Sequence, residues 1–273
     1  MTTTQKVIKY CAIVFALLLI ISIFSGIMDI CAAIFSSFRK DSDVAGENKI
    51  YELSDWESVK NLDIEVSAAA LEIKSGAAFA LESNHKYLKA VIKNGALVID
   101  ETGSFRVKSA DGVQVVLTVP EGFSFDRIRI RTGAGRLDAD ALCAETLHME
   151  LGAGETVLEH LDVTGEAEIE TGVGRLSVLG GSIAELDMGI GVGGVSVKTA
   201  ILEEGEIDCG IGSTEIILIG AKEDYTVSVS KGVGTARVDG ASVASGEKIG
   251  GGNARVKLNG GIGEICVLFA EQE

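Results

Sequence analysis

The segments Leu147-His148-Met149-Glu150-Leu151-Gly152-Ala153-Gly154-Glu155-Thr156-Val157-Leu158 and Ala167-Glu168-Ile169-Glu170-Thr171-Gly172-Val173-Gly174-Arg175-Leu176-Ser177-Val178 lie over one another without a gap. Each alternates apolar and polar residues around a Gly-x-Gly triplet, and alternation at period two marks strands with one buried face. The triplet recurs at Gly133/Gly135, Gly152/Gly154, Gly172/Gly174, Gly191/Gly193 and Gly210/Gly212, with first-glycine spacings of 19, 20, 19 and 19. It returns at Gly232/Gly234 and Gly261/Gly263, where insertions lengthen the interval. A fixed period near 20 is the signature of stacked supersecondary units. Of 34 glycines, 27 fall between Arg127 and Glu273, against one proline in the whole chain, so glycine serves this repeat specifically.

Aligned on the first glycine, the position three before it reads Ile130, Met149, Ile169, Met188, Ile207, Val229 and Leu258. The position between the glycines reads Ala134, Ala153, Val173, Val192, Ile211, Val233 and Ile262, and the position six after reads Ala139, Leu158, Val178, Val197, Ile216, Val238 and Val267. All three columns are apolar, which implies a buried face shared by successive units. Each unit reads as two short strands meeting at a glycine corner, where positive φ or close backbone approach excludes a side chain. One unit cannot bury its apolar face alone, so the expected fold is all-β, a β-solenoid of about 19–20-residue rungs. A βαβ fold would need helical runs between strands, and the gaps here alternate instead. An antiparallel sandwich stays open, because period alone does not fix strand direction.

Outward from the repeat, residues 48–125 form an irregular β section with strand-like runs at 62–66, 71–74, 88–92, 97–100 and 113–119, and an Asn94-Gly95 hairpin signal. Together with Val267–Phe269 it supplies atypical ends that would block edge pairing. At the other extreme, residues 10–28 carry no charge, and apolar character continues to Phe38. A helix of 19 residues is about 28 Å long, close to bilayer thickness. The reading is one transmembrane anchor over 10–38 (core 10–28), after a short segment 1–9 and before a linker 39–47, with the regular repeats over 126–273. Lys6 and Lys9 on one side nearly balance Arg39 and Lys40 on the other, with a lean toward an inside amino terminus and the large domain outside the cytoplasm.

With 40 acidic against 24 basic residues the net charge is −16, which disfavours nucleic acid as a partner, while 47% apolar residues exclude a disordered chain. Five cysteines without a CxxC pair argue against a zinc site or a disulfide framework.

The run Val115-Val116-Leu117-Thr118-Val119-Pro120-Glu121-Gly122, the segment Asp126-Arg127-Ile128-Arg129-Ile130 leading into Thr132-Gly133-Ala134-Gly135, and the recurring triplets together resemble a family. It is the bacterial membrane-anchored β-strand-repeat family of putative adhesin domains of unknown function, which includes the Lia-type accessory proteins of envelope-stress operons. The resemblance spans roughly residues 48–269. It implies an anchored β-repeat protein at the cell envelope, and it transfers no catalytic motif.

Chemistry is sparse along the chain. No triplet completes a dinucleotide fingerprint, no phosphate-loop motif exists, and Gly122-Phe123-Ser124-Phe125-Asp126 lacks the second glycine of a nucleophile elbow. His85, His148 and His160 have no metal spacing, and Trp56 reads as part of a cap. No catalytic, cofactor-binding or small-molecule site is identified, and no cofactor is implied. The one cation candidate is a ladder of Glu168, Asp187 and Glu206, which register would place about 5 Å apart on an outward face, against a simple solvated acidic face. Arg136, Glu155 and Arg175 alternate in sign and favour the same register. The functional expectation is a non-enzymatic, membrane-anchored structural, adhesin-like or stress-response protein, with the membrane and another envelope or regulatory membrane protein as partners. The alternative is a cytoplasm-facing, filament-forming scaffold.

Overall fold

The computed structural model describes residues 44–101 and 112–271, and in chain order they form β1 (Ala45–Ile50), β2 (Asn61–Gly76), β3 (Ala80–His85), β4 (Leu88–Lys93), β5 (Ala96–Glu101), β6 (Gln114–Pro120), β7 (Phe125–Ala139), β8 (Leu142–Leu158), β9 (Leu161–Val178), β10 (Gly181–Ile219), β11 (Tyr225–Val238), β12 (Ala241–Ser242), β13 (Glu247–Gly250) and β14 (Ala254–Ala270). The long strands are the repeat units, and they pair parallel and in register. Ile130 pairs with Met149, Met149 with Ile169 and Ile169 with Met188, and at the far end Ile207 pairs with Leu258 and Leu258 with Val229. None of these seven is more than 1% exposed. The column six after the glycine is buried in the same way, from Ala139 at 3% to Val267 at 0%. Each large side chain so buried contributes about 1.5–3 kcal/mol of transfer free energy, which makes this double column the main stabilising feature.

The two glycines of a corner are required for different reasons. The second takes φ between 140° and 149° in all seven triplets, a region closed to residues with a Cβ. The first has no such φ, but a Cβ on Gly152 would stand 2.0 Å from the carbonyl oxygen of Gly133 in the rung beneath. The corner also shifts the alternation by one residue. Side chains before it point inward at odd offsets and side chains after it at even offsets, so the residue between the glycines sits on the outer vertex. That column was expected to be buried, and it is exposed: Val173 is 59% and Val233 71% exposed.

The fold expectation needs correction in two respects. The described strands form one 14-stranded sheet that runs as an open path from β1 to β12, so it is not a closed β-solenoid. Rung length is encoded by the glycine spacing, whereas closure depends on how far neighbouring rungs twist, which that spacing does not carry. Second, the described residues contain only the short 3-10 turns Trp56–Ser58 and Lys222–Asp224, and no helix among them is long and apolar enough to cross a membrane. A nearly all-β description replaces the solenoid-plus-transmembrane-helix one; the expected anchor at 10–38 lies outside the described residues.

Spatial order also departs from chain order at both ends. β2 pairs directly with β7, and its other edge is covered by β5 over residues 61–65 and by β6 over 70–76, although both follow β2 in the chain. β4, β3 and β1 then close this end by antiparallel pairing. At the opposite end β14 inserts between the second half of β10 and β11. Val267–Phe269 therefore lie inside the stack, and the outer layer is β11, covered in part by β12 and β13. Trp56 stacks on Phe79 at 5.2 Å, and Phe79 meets Phe123 edge-on at 4.9 Å, which seals the side of the first rungs.

Candidate functional site

In-register stacking turns each sequence offset into a column on the surface. Four residues before the first glycine, the outward column reads Asp63, Arg129, His148, Glu168 and Asp187 through paired strands, and Glu206 pairs with Lys257. The 19-residue offset continues within β10, where a Cβ on Gly210 would meet the Gly191 carbonyl oxygen at 2.1 Å, so Glu206 follows Asp187. The structure thus brings the three carboxylates Glu168, Asp187 and Glu206 into one column, and it also supplies what flanks them.

His148 Nδ1 lies 2.7 Å from Glu168 Oε2, and its Nε2 lies 2.9 Å from Glu150 Oε1. Both ring nitrogens face carboxylates, which only the imidazolium can satisfy by donating twice. Its pKa is accordingly raised, first by the Glu150 hydrogen bond and against a smaller desolvation effect. At the other end Lys257 Nζ and Asn259 Nδ2 donate to Glu206 Oε1, and Lys257 holds that carboxyl below its usual range. The outer two members of the ladder are therefore satisfied by protein bases, and Asp187 makes no ion pair among the described residues. No group of three histidine, cysteine, aspartate or glutamate residues is arranged to hold a metal ion among the described residues. Sequence alignment on the glycines already places His148 in this column, though it was read as a solvated or capping histidine and its pairing with Glu168 was not foreseen; Lys257 was missed, because it reaches Glu206 only where β14 inserts beside β10.

The other sequence candidates disperse. His160 pairs with Asp162 at 2.8 Å on the surface. His85, at the end of β3 opposite Ala45, is 2% exposed; its Nδ1 accepts the Tyr87 backbone N–H and its Nε2 stands 3.3 Å from Glu101 Oε1. Nearby Ser83 Oγ donates to the Gln114 carbonyl rather than facing the ring, so this Ser, His and Glu set forms no nucleophile–base relay. Burial alone would raise the Glu101 carboxyl, yet His85 and the Ser67 N–H outweigh it and hold it low. Residues 122–124 lie in the turn from β6 into β7 and Phe125 and Asp126 open β7 itself, with no following helix. Glu155 accepts from Arg136 at 2.8 Å and lies 3.7 Å from Arg175, as the alternating column requires. Cys143, Cys209 and Cys266 are free, and burial pushes each thiol pKa up, away from nucleophilic use.

Two grooves flank the glycine corner. One, of about 580 Å³, is lined by Glu65, Arg131, Glu150 and Glu170; the next, of about 550 Å³, continues past Glu170 to Asp208 and Asn259. Their walls carry carboxylates and backbone, without a converging acid, base and nucleophile.

No protein-family model matches the chain, and no curated protein matches it. Solved structures are similar over most of the chain. A putative cell adhesion protein from Clostridium sporogenes is 16% identical, with 82% of this chain and 99% of that one covered, at a TM-score of 0.39. A putative adhesin from Bacteroides fragilis is 12% identical, covering 81% and 96%, at 0.43. A putative lipid binding protein from Parabacteroides distasonis is 12% identical, covering 80% and 96%, at 0.39.

Proposed function

We propose that this chain is a non-enzymatic, adhesin-like protein of the cell envelope, whose β domain stands outside the cytoplasm and presents a regular outer surface to an envelope component or a regulatory partner. The observation that carries the reading is the corner itself. Seven glycine vertices repeat in register, so outward side chains fall in straight columns on a scaffold fixed by a fully buried core. Such a surface suits extended contact rather than the enclosure of a small substrate. The sequence resemblance supports the envelope placement. Filament formation by end-to-end pairing is disfavoured, because antiparallel strands cover much of both terminal layers.

The test is accessibility in intact cells. A cysteine introduced at the exposed Thr164, with the native cysteines replaced by serine, is expected to react with a membrane-impermeant maleimide without lysis. Labelling that requires lysis would place the domain in the cytoplasm and overturn the reading.

A further inference from the structure

The vertices between the paired glycines line up in space as Ala134, Ala153, Val173 and Val192, then Ile211, Ile262 and Val233. Val173 is 59%, Ile211 46%, Ile262 48% and Val233 71% exposed. At about 4.8 Å per rung, the bulky part of this ridge is about 19 Å long. The fold does not demand it: a vertex that points to solvent accepts Thr or Ser as readily as Val or Ile. An apolar strip of this kind, exposed at four of its five vertices with Val192 half-buried between them, marks an interaction surface on an acidic protein.

Charge identifies the occupant. Ala134 stands between Arg131 and Arg136 and Ala153 between Glu150 and Glu155, so vertex size does not follow flank charge, and what a partner meets is the charge beside the bulky rungs themselves. Beside the bulky rungs Glu168, Glu170, Asp187, Glu206 and Asp208 outnumber Arg175, Lys231 and Lys257; Lys257 pairs with Glu206 and Arg175 leans to Glu155, while Glu170, Asp187 and Asp208 make no ion pair among the described residues. A second copy would bring the same acidic flank, and an anionic lipid surface would be repelled. We infer that the ridge from Val173 to Val233 is the docking site for a basic amphipathic polypeptide segment of a partner protein, its apolar face on the vertices and its Lys and Arg over Glu170 and Asp187. This rests on the reading of the chain as an interaction protein and names the chemistry of what it binds.

The test uses the full chain and two labelled 18-residue peptides, one of Lys and Leu patterned as an amphipathic helix, the other with Glu in place of Lys. Anisotropy is expected to show binding of the Lys peptide only. The triple variant V173T/I211T/I262T, which leaves charge unchanged, should weaken it at least tenfold, and E170Q/D187N at least threefold with a shallower salt dependence. Near-ultraviolet dichroism and the thermal midpoint check that both variants fold. Equal binding by the triple variant overturns the proposal, because attraction would then be charge alone. So does equal binding of the Glu peptide, a shift from dimer to monomer in the triple variant, or ridge-dependent binding to phosphatidylglycerol vesicles. Failure of the maleimide labelling would refute the envelope placement and leave the peptide result standing.

Discussion

Substituting Gly154 by alanine tests the stacking directly. Its φ is +146°, and a Cβ there would stand 1.8 Å from the Gly135 carbonyl oxygen of the adjacent rung. Such a separation falls more than 1 Å short of van der Waals contact, and backbone on both sides leaves no flexible atom to yield. The φ strain alone costs about 1–3 kcal/mol. Prising the rungs apart locally sacrifices two or three ladder hydrogen bonds, each worth about 1 kcal/mol, so the sum is about 3–6 kcal/mol. That is a large share of the ~5–15 kcal/mol by which a domain is stable. Two glycines separate the contributions. Gly122 has φ +72° and nothing within 4 Å of its Cβ position, so G122A should cost only the strain, about 1–2 kcal/mol. Gly251 has neither feature, and G251A should be neutral or slightly stabilising. Urea denaturation of the full chain, followed by tryptophan fluorescence and far-ultraviolet dichroism, gives the ranking. If G154A lies within 0.5 kcal/mol of wild type, or G122A costs more than G154A, the corner is not a close-packed vertex and the argument fails.

Two further outcomes follow from the ends and from the buried pair. Because the Glu101 carboxyl is held low in the folded state, it contributes stability that is present above its unfolded pKa and lost as pH falls through the folded one; E101Q should flatten the acid limb of the stability–pH curve, and an unchanged limb would remove Glu101 from the account. Because β14 lies between β10 and β11, L258A should raise amide exchange in Thr226–Val238 as well as in 204–219; protection of β11 unaltered in that variant would mean that β11 stacks on β10 directly, in chain order.

The rung, its length and its inner columns were legible in the sequence. Ile130, Met149 and Ile169 recur at one offset because every rung must fill the same slot, and the glycines recur because a carbonyl oxygen from the rung below occupies the space a Cβ would need. Register was legible for the same reason, so Glu168, Asp187 and Glu206 could be placed in one column beforehand. The partners of that column were not. Lys257 and Asn259 reach Glu206 only through the insertion of β14, and the 220–253 excursion is long enough to permit either stacking order without a local signal to choose between them.

Side-chain period reports which way a residue faces only while the strand stays straight. At each corner the backbone shifts the alternation, so Val173 and Val233, apolar and in phase with the core residues before them, finish on the outside. The amino-acid order alone determined a stacked, glycine-cornered β unit and its inner columns, because these are local requirements repeated in every rung, while the parallel direction of pairing came from the structure. Tertiary structure alone decided the open path of the sheet, the exchanged layers at both ends and the outward apolar ridge, because each depends on what neighbouring rungs do to one another.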